Sequence, residues 1–130
     1  MSTGEARRFE TPTLSFEEFW TWLVLHPNCI LRGGTPETVV YDDHDLHWHF
    51  ASEGAETLLV QVIRGKRIMG EILVQPEQIA YVQGYEGDGE GEHVFELFTE
   101  NEKQRVAAYF FVMCHGFDDE SMESSGRAVH

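Results

Sequence analysis

Cysteine, basic side chains and long apolar runs are all scarce in this chain, and each scarcity closes off a class of function. The two cysteines, Cys29 and Cys114, lie far apart and form no C-x-x-C pair, too few for the disulfide framework of a small secreted scaffold. Both are expected to be reduced, buried thiols. Nine Lys and Arg stand against 23 Asp and Glu, a formal charge of -14, so a phosphate backbone is repelled and direct nucleic-acid binding is excluded. No stretch of 18 apolar residues is present to span a bilayer. Arg7 and Arg8 are followed by no apolar segment of the kind an export signal needs, so the expected location is cytoplasmic. A G-x-x-x-x-G-K phosphate loop, a G-x-S-x-G elbow and an H-E-x-x-H zinc motif are all missing.

What remains is enough for one fold. The 130 residues are 42% hydrophobic and include nine Phe, three Trp and four Tyr, apolar surface sufficient to offset the entropy of ordering a single domain and too little chain for two. The composition divides the chain into a flexible arm at 1–13, one α+β domain at 14–117, and a disordered acidic tail at 118–130. The domain opens on Ser15-Phe16-Glu17-Glu18, which has the form of a capping box, with Leu14 and Phe19 as a hydrophobic staple. Phe16, Phe19, Trp20 and Leu23 recur at i, i+3, i+4 and i+7, an apolar stripe for the core, and Pro27 ends the segment. Trp22 and Leu25 then project away from that stripe, as contact residues for a partner.

From Cys29 onward the periodicity shortens to that of strands, expected near 29–33, 37–41, 46–51, 57–64, 67–75, 78–84 and 93–99. Gly65-Lys66 joins two of them as a two-residue link with glycine first, the signature of a type II′ hairpin. Leu58, Val60 and Val62 share one face of that hairpin, and Ile68, Gly70, Ile72 and Val74 share one on the other strand. Arg32-Gly33-Gly34-Thr35-Pro36 reads as a turn. The stretch from Gly84 to Glu92 alternates glycine with Glu86, Asp88, Glu90 and Glu92 and reads as a mobile acidic loop; its spacing does not reproduce an EF-hand. The apolar run Val106–Cys114 suits either a buried helix or a buried strand. The capping-box spacing of Thr99 and Glu102, Ala107-Ala108 and a terminal Gly116 favour helix, and Tyr109-Phe110-Phe111-Val112 favours strand. A helix is the expectation, packed with the first helix on a twisted, mostly antiparallel sheet.

One segment carries metal-binding chemistry. Asp42-Asp43-His44-Asp45-Leu46-His47-Trp48-His49-Phe50 holds three of the seven histidines. Strand alternation turns Leu46, Trp48 and Phe50 inward and Asp45, His47 and His49 outward. Two imidazoles and a carboxylate are a competent set for a divalent transition metal. His47-Trp48-His49 with Glu53 resembles the first metal motif of the cupin superfamily, and the resemblance implies that these three side chains are ligands on a β-barrel wall. Tyr41 stands near the place of that motif's glycine, and no P-x-G with a following histidine completes the second motif after Gln75. His93 or His115 is then the candidate fourth ligand.

Two functions follow. The first is a small acidic partner-binding module, an adaptor, regulator or inhibitor-like protein without catalysis or cofactor. It engages a basic protein, or a second copy as a homodimer, through Trp22, Leu25, Glu86, Asp88 and Glu90. The alternative is a metal-dependent enzyme or metal-binding protein using His47, His49, Glu53 and His93. The module is preferred, because a lone H-x-H is also what a solvated strand face carries.

Overall fold

A computed structural model describes residues 13–117; apart from Thr13, the arm at 1–13 and the tail at 118–130 lie outside the described residues. Thr13–Leu14 forms a short strand, β1, and Phe16–Val24 forms the helix α1. The capping box is complete: Glu18 N–H donates to Ser15 Oγ at 3.1 Å and Ser15 N–H donates to Glu18 Oε1 at 2.9 Å. Glu17 and Glu18 also place negative charge at the positive end of the helix dipole. Both staple residues, Leu14 and Phe19, are buried. Pro27 stops the helix, and the chain tightens into a 3-10 turn at Pro27–Cys29.

Eight further strands follow: β2 (Ile30–Thr35), β3 (Thr38–Tyr41), β4 (His47–Glu53), β5 (Thr57–Arg64), β6 (Arg67–Val74), β7 (Tyr81–Glu86), β8 (His93–Glu100) and β9 (Arg105–Met113). A second 3-10 turn, Pro76–Gln78, lies where the sixth expected strand, 78–84, begins, because Pro76 supplies no ladder donor. All pairings are antiparallel. They make a six-stranded sheet in the order β1-β7-β8-β9-β2-β3 and a three-stranded meander β4-β5-β6. Among the described residues the architecture is therefore mostly antiparallel sheet with one small α-helix.

The helix lies against both sheets. Phe19 meets Phe95 of β8 and Phe111 of β9 at ring-centroid distances of 5.2 and 5.9 Å, while Trp20 meets Phe50 of β4 edge-on at 5.5 Å. Val60, Val62, Ile72 and Val74 from the meander join Ile30, Val82, Leu97 and Met113 from the larger sheet in one core cluster. Among the described residues no helix is long and apolar enough to cross a membrane.

Several sequence expectations are corrected. Val106–Cys114 is no helix: Arg105–Met113 is a strand hydrogen-bonded on both sides, to β8 and β2. Its aromatic and β-branched side chains suit a pleated surface, and two partner strands satisfy its backbone. Thr99 and Glu102 form no cap. Asn101 Oδ1 instead accepts the backbone N–H groups of Lys103 and Gln104 at 2.8 and 2.9 Å, folding the chain into a hairpin turn where the helix was to start.

Gly33 and Gly34 are strand residues rather than turn residues. A Cβ on Gly33 would stand 2.7 Å from the Phe111 ring, so the missing side chain makes room for that aromatic. The turn is moved on to Pro36-Glu37, between paired Thr35 and Thr38. The predicted hairpin at Gly65-Lys66 forms with Arg64 opposite Arg67. Gly65 has φ +63° and, among the described residues, no non-glycine residue has positive φ, so Lys66 does not, which is the type II′ pattern.

Ile68 departs from the face predicted for it. The register passes from Val62 opposite Gly70 to Ile63 opposite Ile68, leaving Met69 as an extra residue in β6. That bulge reverses the alternation beyond it, so Ile68 joins Ile63 on the outer face and is 57% exposed.

Candidate functional site

The residues that the sequence singled out do not converge. In β4, Trp48 is 7% exposed and its indole N–H donates to Asp42 Oδ1 at 3.1 Å, which fixes the strand with His47 and His49 on its solvent side. Both imidazoles, and Glu53, are exposed. His47 and Glu53 are six residues apart on one extended strand, about 20 Å at the usual rise, so no single ion is held by all three. His93 lies in the other sheet, opposite Glu86 and Met113. The wall of inward-facing ligands that the cupin resemblance implies is therefore not built.

Trp22, expected outside, is 7% exposed. The helix carries apolar residues on two overlapping stripes that share Phe19 and Leu23, and the buried centre falls on Phe19, Trp22 and Leu23, with Phe16 and Trp20 half-buried at the flank. Phe95 lies 5.2 Å from the Trp22 ring, and Phe117, beyond the last strand, closes over it at 5.4 Å. Leu25 does project outward, at 71% exposure.

Glu86, Asp88 and Glu90 are exposed on the β7–β8 connection. This loop has internal order: Gly87 N–H donates to Glu92 C=O at 2.8 Å and Glu92 N–H donates to Gly89 C=O at 3.2 Å. The Glu92 carboxylate takes both terminal nitrogens of Arg32, at 2.9 and 3.2 Å, a bidentate pair that ties the loop to β2. The guanidinium holds the Glu92 carboxyl below its ordinary range, and the carboxylate raises Arg32 in return. Tyr85, on the same hairpin, has its phenol pushed up by burial and by a hydrogen bond with Glu96.

Two other places collect what the sequence scattered. The outer face of the meander presents three lateral rows, His47–Ile63–Ile68, His49–Gln61–Glu71 and Ala51–Leu59–Leu73. Ile68, Met69 and Leu73 are 57%, 47% and 50% exposed. Strand alternation alone places Leu59, Ile63 and Leu73 there; the bulge that adds Ile68 has no sequence signature. Gln61 crosses the middle of this face and donates to Glu71 at 2.7 Å.

The second place is where β9 ends beside the start of β2. Ile30 pairs with Met113, and one step outward Cys114 N–H donates to Cys29 C=O at 2.9 Å. Cys29 Sγ stands 2.9 Å from His115 Nε2, and the ligand atoms of Cys29, Cys114 and His115 all lie within 4.8 Å of one another. Cys114 is exposed rather than buried, and Cys29 is half-buried. In the sequence His115 stands out only as an addition to the H-x-H set, because the register that brings Cys114 to Cys29 is non-local. The chain matches no family model, and comparison with curated proteins and with solved structures finds no significant similarity.

Proposed function

We propose that this protein is a non-catalytic partner-binding module and that its docking surface is the outer face of the β4-β5-β6 meander. The observation that carries the reading is the aliphatic patch of Leu59, Ile63, Ile68, Met69 and Leu73, in part strongly exposed on a strand at the edge of its sheet. Exposed apolar side chains interleaved with a few polar ones are characteristic of contact surfaces. Here the polar row His49–Gln61–Glu71 runs between the two apolar rows, Ile63–Ile68 and Leu59–Leu73.

Charge decides between occupants. A second copy would bring another net charge of -14 to the contact, which opposes homodimerisation, whereas a basic protein with aliphatic or aromatic anchors is steered toward the face. Leu25 and the loop residues Glu86, Asp88 and Glu90 remain exposed and serve as secondary acidic or apolar contacts. Trp22 drops out of the contact set because it is in the core.

The test is comparative capture with the full chain and an Ile68→Glu, Leu73→Glu variant. Both sites are exposed, so the variant should keep its stability within roughly 0.5 kcal/mol. A basic protein retained by the natural sequence, released as salt rises and not retained by the variant is the expected result. Retention of the same proteins by both, or a salt-insensitive dimer of the chain itself, would refute the reading.

A further inference from the structure

We propose that Cys29, Cys114 and His115 form a binding site for a thiophilic divalent metal ion, Zn²⁺ in the first instance. Two thiolates and an imidazole are a donor set that selects zinc over the hard cations that carboxylates prefer. Zn–S and Zn–N bonds near 2.3 and 2.0 Å put tetrahedral ligand atoms about 3.6 Å apart. The three atoms here already lie within 4.8 Å of one another, so a small opening of the 2.9 Å Cys29–His115 contact admits the ion.

The fold prepares this arrangement. Cys29 closes the 3-10 turn and Cys114 leaves β9, with their backbones joined by the Cys114 N–H to Cys29 C=O bond. In a regular strand Cys114 and His115 would point to opposite faces. Both lie beyond Met113, the last residue of β9, in a bend where two consecutive side chains can turn the same way. The His115 ring is packed edge-on against Trp22 at 6.0 Å and against His26 at 5.7 Å. His26 is itself oriented, its Nδ1 lying 2.7 Å from Trp22 C=O; since a carbonyl only accepts, that nitrogen carries the proton. Ligands held by surrounding packing lose little freedom on binding.

Binding replaces two S–H bonds with two Zn–S bonds and releases both protons to solvent, with no redox step. Exposed Cys114 leaves an approach from water, and a water oxygen completes four-coordination. The consequence is a clip between the end of α1 and β2 on one side and the end of β9 on the other. The site is on the six-stranded sheet and is independent of the docking face on the meander.

The experiment is titration of the reduced full chain with Co²⁺, followed by displacement with Zn²⁺. One equivalent of Co²⁺ should give thiolate-to-cobalt charge-transfer absorption and tetrahedral visible bands. Zn²⁺ at a hundredfold excess over its Kd should raise Tm by about 5 °C or more. Cys114→Ser, at an exposed position, should abolish both effects while leaving the far-UV circular dichroism unchanged. His115→Gln should weaken binding at least roughly tenfold, the loss that even outer partners of metal sites cause. A His47→Ala, His49→Ala variant should bind as the natural sequence does. A cobalt spectrum without charge transfer, or one lost with His47 and His49 but kept in Cys114→Ser, overturns the proposal.

Discussion

Tyr85 shows how a single side chain links this structure to pH. Its phenol, partly buried and hydrogen-bonded with Glu96, ionises in the folded state above the ordinary value of 10.0. The unfolded chain therefore loses this proton first as pH rises. Stability from Tyr85 is complete below pH 10 and is lost as pH climbs through the folded-state value. The urea midpoint of the natural sequence should fall more steeply above pH 10 than that of Tyr85→Phe, and parallel slopes would show that the phenol contributes nothing. Neither this shift nor the Arg32–Glu92 pair is legible in the sequence, because Glu96 reaches Tyr85 from a neighbouring strand and Glu92 reaches Arg32 from the β7–β8 loop, 60 residues away along the chain. The outward placement of His47 and His49 was legible, since alternation along one strand suffices. Trp22 was misread for a related reason: in a helix with apolar residues on two adjacent stripes, the stripe that is buried is decided by what packs on it, here Phe95 and Phe117.

Elements with local causes were read almost to the residue. The capping box set the start of α1, and Gly65-Lys66 set the β5–β6 hairpin; the strand periodicities near 57–64 and 67–75 match β5 and β6. β9, expected as a helix with a strand as the alternative, owes its state to its neighbours, since an apolar run of nine residues becomes a strand when β2 and β8 flank it. Glycine substitutions separate local from non-local causes. Gly65→Ala should cost about 1–2 kcal/mol for a non-glycine residue at φ +63°, and Gly65→Asn should recover part of it because asparagine tolerates that region. Gly34→Ala should cost about 1–3 kcal/mol or more by a different route. Its Cβ would collide with the Thr38 carbonyl across the β2–β3 hairpin, backbone that cannot step aside, and asparagine would offer no relief there. Urea unfolding of the four variants, alanine and asparagine at each site, checks both costs; equal recovery by asparagine at the two sites would refute the distinction.

At the scale of the whole molecule, two opposing features set stability. One core cluster joins helix, six-stranded sheet and meander, so the two sheets should unfold together rather than in steps. Against that cohesion stands the self-repulsion of 23 carboxylates facing nine Lys and Arg. Raising the ionic strength from 0.01 to 0.15 M shortens the screening length from about 30 Å to about 8 Å, which weakens repulsion between distant surface carboxylates far more than it weakens the close Arg32–Glu92 pair. Tm should therefore rise over this salt range by a few degrees, with tryptophan fluorescence and far-UV circular dichroism tracing one transition. The fluorescence reports Trp20 and Trp22 from the helix and Trp48 from the meander, so a split between the two probes would mean that the meander melts on its own. A Tm that falls with salt would instead show that close ion pairs outweigh the long-range repulsion, and it would remove the charge argument that favours a basic partner over a second copy of the chain.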